Sequence, residues 1–187
     1  MRISAAQAGR NRQQVLDTAS ERFRERGFDG VGVSDRMKSA GFTPGGLPHP
    51  FAPKDALAAE ALAQAWAQMA AERARARNLE QLLAGYLSRT SRDAPGSSCP
   101  AAALGGDVGR RSAEIKNVFA AGLEEMITSV ERLLPPSDDG ATRTRAMTVV
   151  NGMVGALMLS RAVPDDSPLA DELLASGLRA ALAAAAD

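Results

Sequence analysis

Apolar residues recur at three- and four-residue steps along most of the chain, which is the spacing of one face of an α-helix. The clearest stripe lies within residues 113–134 and consists of Ile115, Val118, Phe119, Leu123, Met126, Ile127, Val130 and Leu133. An earlier stripe consists of Val15, Leu16, Ala19 and Phe23, and it ends at Gly27. No segment alternates apolar and polar residues in the manner of a half-buried strand. The pattern therefore predicts an all-α protein.

Prolines and capping residues divide the remaining pattern into further helices. Asn78 precedes an apolar stripe that runs to Tyr86, and Ser98 is a candidate N-cap for a short helix that reaches Val108. Pro135 and Pro136 end the amphipathic stripe, and a loop is expected over residues 93–98. The other predicted helices span residues 54–77, 138–162 and 168–185.

Residues 34–57 contain the capping and turn residues expected of two short helices joined by a tight turn. Ser34 is a plausible N-cap for a helix over residues 35–40, and Gly41 supplies the left-handed turn that follows. Thr43 and Pro44 are then an N-cap and a first-turn proline. A helix, a glycine turn and a second helix form the helix-turn-helix plan, in which the second helix enters the major groove of DNA.

This segment resembles the DNA-binding domain of the tetracycline-repressor (TetR) family of bacterial transcription regulators. The matching residues are Phe23, Gly27, Phe28, Ala40, Gly41, Phe42, Thr43, Gly46, Leu47, Phe51, Lys54, Asp55, Ala56 and Leu57. The resemblance covers roughly the first sixty residues. It implies a three-helix DNA-binding domain at residues 1–54, followed by a larger helical domain for ligand binding and dimerisation at residues 55–187.

The chain departs from the family pattern at several positions of this segment, in both short helices and after them. Arg36 stands where the family usually has an aliphatic residue, and Pro48 stands where it usually has an aromatic one. Pro50 and Pro53 replace residues that are usually polar. Proline removes a backbone donor and disfavours helical dihedrals in the residue before it, so the recognition helix is expected to be about one turn long. The alternative is therefore a TetR-like scaffold with weakened or lost operator binding.

The resemblance and the charge distribution together indicate the residues that contact DNA. Residues 1–54 contain nine basic and five acidic side chains, so this part carries +4 while the whole chain is neutral. A basic end suits a surface that faces phosphates, although it is also typical of a solvated helix face. The predicted groove-facing residues are Thr43, Pro44, Gly45, Gly46 and His49. Ser34 and Lys54 are the predicted phosphate anchors.

The last two predicted helices carry wide apolar stripes interrupted by small residues. Small side chains allow helices to approach closely, and two such helices from each of two chains can form a four-helix seam. The resemblance implies the same homodimer, since TetR-like proteins generally associate through their last two helices. The alternative is that these stripes only close the core of the single chain.

The resemblance also implies a small-molecule pocket among the helices of the second domain. The candidate wall residues are Trp66, Met69, Leu83, Tyr86, Phe119, Met126, Met153 and Leu157. Methionine adapts its shape and is common at permissive sites, but a methionine or aromatic residue at helical spacing is also typical of plain core.

Cys99 is a further candidate at this pocket. It lies at the expected start of a short helix, where free N–H groups stabilise a thiolate, so it is a possible sensor of electrophiles or oxidants. Residues 97–110 also resemble a segment found in one branch of the TetR family. Against this interpretation, cysteine is among the most buried residue types and usually behaves as a small apolar side chain.

Other functional classes have little support in the sequence. One histidine and one cysteine supply no nucleophile–base pair, and no phosphate-binding glycine loop or metal-ligand motif occurs. We therefore expect no enzyme activity, no cofactor and no metal site. Residues 146–160 form the longest weakly polar stretch and are too few to cross a bilayer, so a cytoplasmic location without membrane contact is expected. The predicted function is that of a ligand-responsive transcription regulator. We expect a repressor that binds operator DNA and is released from it by a small apolar or electrophilic effector.

Overall fold

The computed structural model describes residues 5–30, 54–136 and 140–186 of the 187-residue chain. Within these ranges the protein is entirely helical, which confirms the all-α prediction. The helices are α1 (Ala5–Arg26), α2 (Lys54–Arg73), α3 (Leu79–Tyr86), α4 (Arg89–Asp93), a 3-10 turn (Pro95–Ser97), α5 (Pro100–Val108), α6 (Ala113–Glu131), α7 (Thr142–Arg161) and α8 (Pro168–Ala186). Of the predicted helix-turn-helix segment, residues 34–53 lie outside the described residues.

Local hydrogen bonds explain where the helices begin and end. Asn78 is the N-cap of α3 as predicted, because its side-chain oxygen accepts a hydrogen bond from the backbone N–H of Gln81 at 2.8 Å. The helix predicted over residues 54–77 ends earlier, at Arg73. The backbone N–H groups of Arg75 and Ala76 bond three residues back instead of four, so the helix tightens into a turn before the next cap.

The segment before α5 differs from the sequence prediction. The loop expected over residues 93–98 contains a 3-10 turn and follows the unpredicted short helix α4. Ser98 was the expected N-cap of α5, and this was wrong: Cys99 occupies the cap position without a capping side-chain bond. The hydroxyl of Ser98 instead lies 3.0 Å from that of Ser91.

Three helix pairs have the most extensive packing: α7 with α8, α2 with α6, and α2 with α1 of the first domain. Helices α7 and α8 pack closely, since a Cβ added at Gly177 would overlap Ala156. Helix α2 packs on α1 at one side and on α6 at the other. The indole of Trp66 lies directly over Gly122 of α6, where only a residue without a side chain fits.

The turn after α1 is fixed to the second domain by aromatic and charged contacts. Gly27 takes a φ of +71°, a left-handed conformation that glycine adopts without strain. Phe28 then folds back on Phe23, with ring centroids 5.2 Å apart. Arg111, from the loop after α5, stacks over Phe28 and donates to Asp29 at 2.5 Å. The turn after α1 is therefore connected to the α5–α6 loop, in addition to the packing of α1 on α2.

Candidate functional site

A cavity of about 400 Å³ lies where the C-terminal end of α2 meets α3, α4 and the 3-10 turn. This volume is within the usual range for small-molecule sites. Apolar surface comes from Met69, Ala76 and Leu82, and polar surface comes from a tyrosine and several serine side chains. Among the charged residues of the wall, Arg73 and Arg75 oppose Glu72. The cavity therefore offers an apolar side and a polar, mildly basic side.

Arg73 differs from the other deeply buried arginines of the described residues. Arg24 donates to the carbonyls of Ser20 and Ser98 and to the side chain of Gln68, and Arg92 is bonded with similar completeness. The side chain of Arg73 is only 6% exposed, yet its Nε and Nη2 have no hydrogen-bond acceptor. The carboxylate of Glu125 lies 3.9 Å from Nη2, beyond hydrogen-bond distance, and is itself exposed. Arg73 is thus a buried and largely uncompensated cation in the cavity wall.

Burial affects the ionisation of Arg73 and of the neighbouring Tyr86. Burial is the main cause that lowers the pKa of Arg73, but guanidinium groups remain protonated at neutral pH. Burial also raises the pKa of Tyr86 well above its ordinary value, and the nearby Cys99 adds to this effect. The sulfur of Cys99 does not reach hydrogen-bond geometry with the tyrosine hydroxyl, which has no partner among the described residues. The wall therefore presents a charged guanidinium and a neutral hydroxyl.

The cavity includes two of the predicted wall residues, Met69 and Tyr86. The other candidates do not line it. Phe119 is partly buried and packs edge-on against Trp66, with ring centroids 5.7 Å apart. The remaining candidates belong to the buried core: Trp66, Leu83, Cys99, Met126, Met153 and Leu157. Cys99 is 1% exposed.

The polar part of the wall contains residues that the sequence analysis did not select. These include Arg73, Ser91, Ser97 and Ser98. A signal for Arg73 was present, because it continues the buried face of α2 formed by Leu62, Trp66 and Met69 at helical spacing. A cation in an apolar stripe is unusual and indicates either a buried ion pair or a ligand.

The residues predicted to contact DNA lie mostly outside the described part of the chain. These are Ser34, Thr43, Pro44, Gly45, Gly46 and His49. Lys54 is the first residue of α2. On α1, Arg12 forms an ion pair with Glu60 and Arg22 forms one with Glu25, so part of the N-terminal basic charge is balanced within the chain.

A second surface feature lies on the last two helices. The large apolar side chains that are well exposed in the described ranges all belong to α7 and α8: Met147, Met158, Leu159 and Leu169. Their exposed fractions lie between 37% and 50%. Exposed apolar residues clustered on neighbouring helices are typical of an interface between protein chains.

Residues 15–61 match the family model described as bacterial regulatory proteins, tetR family. The similarity is therefore to the N-terminal domain of TetR-family proteins. The match extends through the residues that lie outside the described structure and ends within α2. A search of curated protein sequences finds no match.

The fold of the described residues is also similar to that of TetR-family regulators. The reduced form of E. coli NemR aligns with a TM-score of 0.74 at 21% identity, over 90% of this chain and 93% of that protein. A TetR-family regulator from Cytophaga hutchinsonii aligns with a TM-score of 0.75 at 16% identity, over 98% of both chains. SCO4454, a TetR-family regulator from Streptomyces coelicolor, aligns with a TM-score of 0.67 at 22% identity, over 95% and 90%. At these identities the similarity establishes the fold.

The described residues contain no cluster of three or more histidine, cysteine or acidic side chains placed to hold a metal ion. No helix in the same ranges is long and apolar enough to cross a membrane.

Proposed function

We propose that this protein is a homodimeric, ligand-responsive transcription regulator that binds operator DNA through residues 1–54. The observation that carries the proposal is the TetR-family N-terminal domain at residues 15–61, attached to a helical body with the fold of TetR-family regulators. Thr43, Pro44, Gly45, Gly46 and His49 face the groove, while Ser34 and Lys54 hold phosphates. The protein acts in the cytoplasm and without enzyme activity.

The apolar surface of α7 and α8 supports a two-fold dimer. Met158 and Leu159 are 44% and 50% exposed on α7, and Leu169 is 46% exposed at the start of α8. Pairing these helices with a second copy removes that surface from water, which is favourable in proportion to the apolar area buried. A two-fold dimer also places two DNA-binding domains about 34 Å apart, on successive major grooves.

Helix α2 supplies the mechanical link between the cavity and the DNA-binding segment. Its first residue, Lys54, is one of the predicted phosphate anchors, and its last residue, Arg73, lies in the cavity wall. A helix transmits displacement along its axis, so a ligand that moves the end of α2 alters the position of the DNA-binding domain. A ligand that prefers one position of α2 shifts the dimer toward or away from the operator-binding arrangement.

The experiment that tests this function is selection of DNA from pooled genomic fragments by the purified full-length protein. Enrichment of a small set of fragments that share a pseudo-palindromic sequence is the expected result, since a two-fold protein reads two related half-sites. Recovery of fragments without any common sequence would contradict the proposal.

A second candidate function follows from the proline residues in and after the predicted recognition helix. Pro48, Pro50 and Pro53 disfavour a full recognition helix, so the protein could be a ligand-binding scaffold that no longer reads operators. Such a scaffold would dimerise and bind its ligand normally. Its binding to DNA would be weak, salt-dependent and equal for all sequences.

A further inference from the structure

We propose that the cavity at the end of α2 binds a small organic carboxylate, whose carboxyl group pairs with Arg73 and Tyr86. This inference rests on the proposed function only in treating the carboxylate as the effector. Binding itself is a separate property of the cavity and is measured without DNA.

The guanidinium of Arg73 is the first observation behind this inference, because its nearest carboxylate, that of the exposed Glu125, stays 3.9 Å away. Its side chain is 94% removed from solvent, and Nε and Nη2 have neither a protein acceptor nor access to bulk water. A buried charge without an acceptor is strongly unfavourable, and proteins normally pair it. Arg24 and Arg92, which are buried to a similar extent, are fully engaged with carbonyl and side-chain oxygens. The protein around Arg73 therefore does not supply the hydrogen-bond acceptors that Nε and Nη2 need.

The hydroxyl of Tyr86 is the second observation. It is buried without a partner and, like Arg73, belongs to the cavity wall. A protonated phenol donates one hydrogen bond, and a guanidinium donates two from a planar fork that matches the two oxygens of a carboxylate. Both groups are therefore donors that need the same kind of acceptor. Their orphaned atoms have little accessible surface, so Arg73 must turn toward the cavity when the ligand binds.

The rest of the wall indicates the size and charge of the ligand. A single buried guanidinium, with Glu72 nearby, favours one negative charge over a phosphate dianion. Met69, Ala76 and Leu82 provide an apolar surface for a hydrocarbon or aromatic body. A volume of about 400 Å³ accommodates a small amphipathic acid. The ligand class is therefore a monocarboxylate with a compact apolar part, rather than a neutral apolar molecule.

Binding is tested with matched pairs of probes that differ in charge. Benzoate, hexanoate and octanoate are compared with benzamide, hexanamide and octanamide, and with inorganic phosphate, using calorimetry and the fluorescence of Trp66. Trp66 is the only tryptophan and lies on α2 close to Met69. The full-length protein is expected to bind at least one carboxylate at millimolar concentration or better, and more tightly than its amide or phosphate.

Substitutions then test whether Arg73 is the cation that pairs with the carboxylate of the ligand. Arg73→Met is expected to weaken carboxylate binding by about tenfold or more, because a charge-assisted hydrogen bond is lost, while amide binding is unchanged. Tyr86→Phe should weaken it by a smaller factor. Arg132→Met removes an exposed arginine outside the cavity and is expected to change neither affinity.

The free protein supplies a test that needs no ligand. Since Arg73 lacks an acceptor, Arg73→Met is expected to raise the melting temperature of the unliganded protein, whereas Arg24→Met should lower it. A lower melting temperature for Arg73→Met would show that this arginine is a structural group and would overturn the inference. Equal affinity for carboxylates and amides, tighter binding of phosphate, or no binding of any carboxylate would also overturn it. None of these outcomes affects operator binding, which fails or succeeds in the DNA selection alone.

Discussion

Arg24 and Arg92 show what a buried arginine requires in this protein. Arg24 bonds across from α1 to α2 and to the carbonyl of Ser98. Arg92 donates to the carbonyl of Ser160 at 2.8 Å and to the carboxylate of Asp93 at 2.6 Å. These bonds hold several chain segments together, and both side chains have structural roles. Arg73 has no such bonds from Nε or Nη2 and belongs to the wall of a cavity, which is the basis for assigning it a ligand.

Gly122 provides a test of the packing between α2 and α6. A Cβ at this position would overlap the indole of Trp66, so Gly122→Ala is expected to destabilise the protein by about 1–3 kcal/mol in chemical denaturation. The control is Gly106→Ala on α5, where an added Cβ meets no neighbour. That change should be neutral or stabilising by about 0.5–1 kcal/mol, because alanine favours the helix. Equal effects of the two substitutions would contradict the close contact at Gly122.

The burial of Cys99 predicts that its thiol reacts slowly with alkylating agents in the native protein. Its side chain is 1% exposed, so alkylation of the native protein by N-ethylmaleimide should be much slower than alkylation in denaturant. Mass spectrometry over time measures both rates, and the single cysteine leaves no ambiguity about the site. Rapid modification of the native protein would instead favour the interpretation of Cys99 as a sensor.

Individual site residues were only partly predictable from the sequence. Met69 and Tyr86 were selected because adaptable and aromatic side chains suit a pocket, and both line the cavity. The same criterion selected Met126 and Met153, which are completely buried in the core, because periodicity does not distinguish a cavity wall from a packed interior. Arg73 was missed because a hydrophobic pattern treats arginine as a surface residue.

At the scale of helices, the apolar pattern predicted most of the fold. Helices α3, α5, α6, α7 and α8 all lie where the apolar stripes indicated, although α5 is capped by Cys99 and not by Ser98. The exceptions are at the end of α2 and at α4. Residues 74–77 favour helix by composition, but Asn78 and Gln81 form the start of α3 there, and the backbone N–H of Arg77 bonds the Gln81 side chain at 3.0 Å. A local cap therefore outweighs helix propensity, which is a small effect per residue.

The short helix α4 had no amphipathic signature because long-range bonds position it. Arg161 of α7 donates to the backbone carbonyls of Ser91 and Arg92, and Arg92 donates back to the carbonyl of Ser160. These exchanges join α4 to the C-terminal end of α7, where helix carbonyls lack partners of their own. Contacts about seventy residues apart in sequence leave no local pattern.

Replacement of Arg92 tests this connection between α4 and α7. Arg92→Met is expected to lower the free energy of unfolding by about 2–3 kcal/mol, since buried carbonyl groups lose a charged donor. The matched control is Arg89→Met, which removes an exposed ion pair with Asp171. Its effect should be much smaller because solvent screens exposed pairs. Similar losses for both variants would show that Arg92 has no special role.

At the scale of the whole molecule, the described structure leaves one apolar surface uncovered. Met147, Met158, Leu159 and Leu169 are exposed on α7 and α8, the helices predicted from sequence to form the dimer. The sequence alone did not decide between a dimer seam and the core of a single chain. Buried residues such as Met153 and Leu157 close the core, while the exposed ones remain available, so the same helices have both kinds of face.

A charge placed on this surface tests the dimer. Met158→Lys is expected to shift the protein toward monomer in sedimentation velocity, because an uncompensated cation disfavours an apolar interface. Ala121→Lys adds the same charge to an exposed position on α6 and should leave the assembly unchanged. Monomeric wild-type protein, or a dimer that tolerates Met158→Lys, would contradict an interface on α7.

The most direct test of the central claim is the affinity of the full-length protein for a selected genomic fragment, compared with a scrambled duplex over a range of salt concentrations. The fragment is expected to bind more tightly than the scrambled duplex by about 10³ or more at physiological salt. Lys54→Ala should weaken both complexes alike and reduce the salt slope by about 1, as expected for a phosphate contact. Equal and weak affinity for both duplexes would contradict the claim and identify a ligand-binding scaffold that does not read operators.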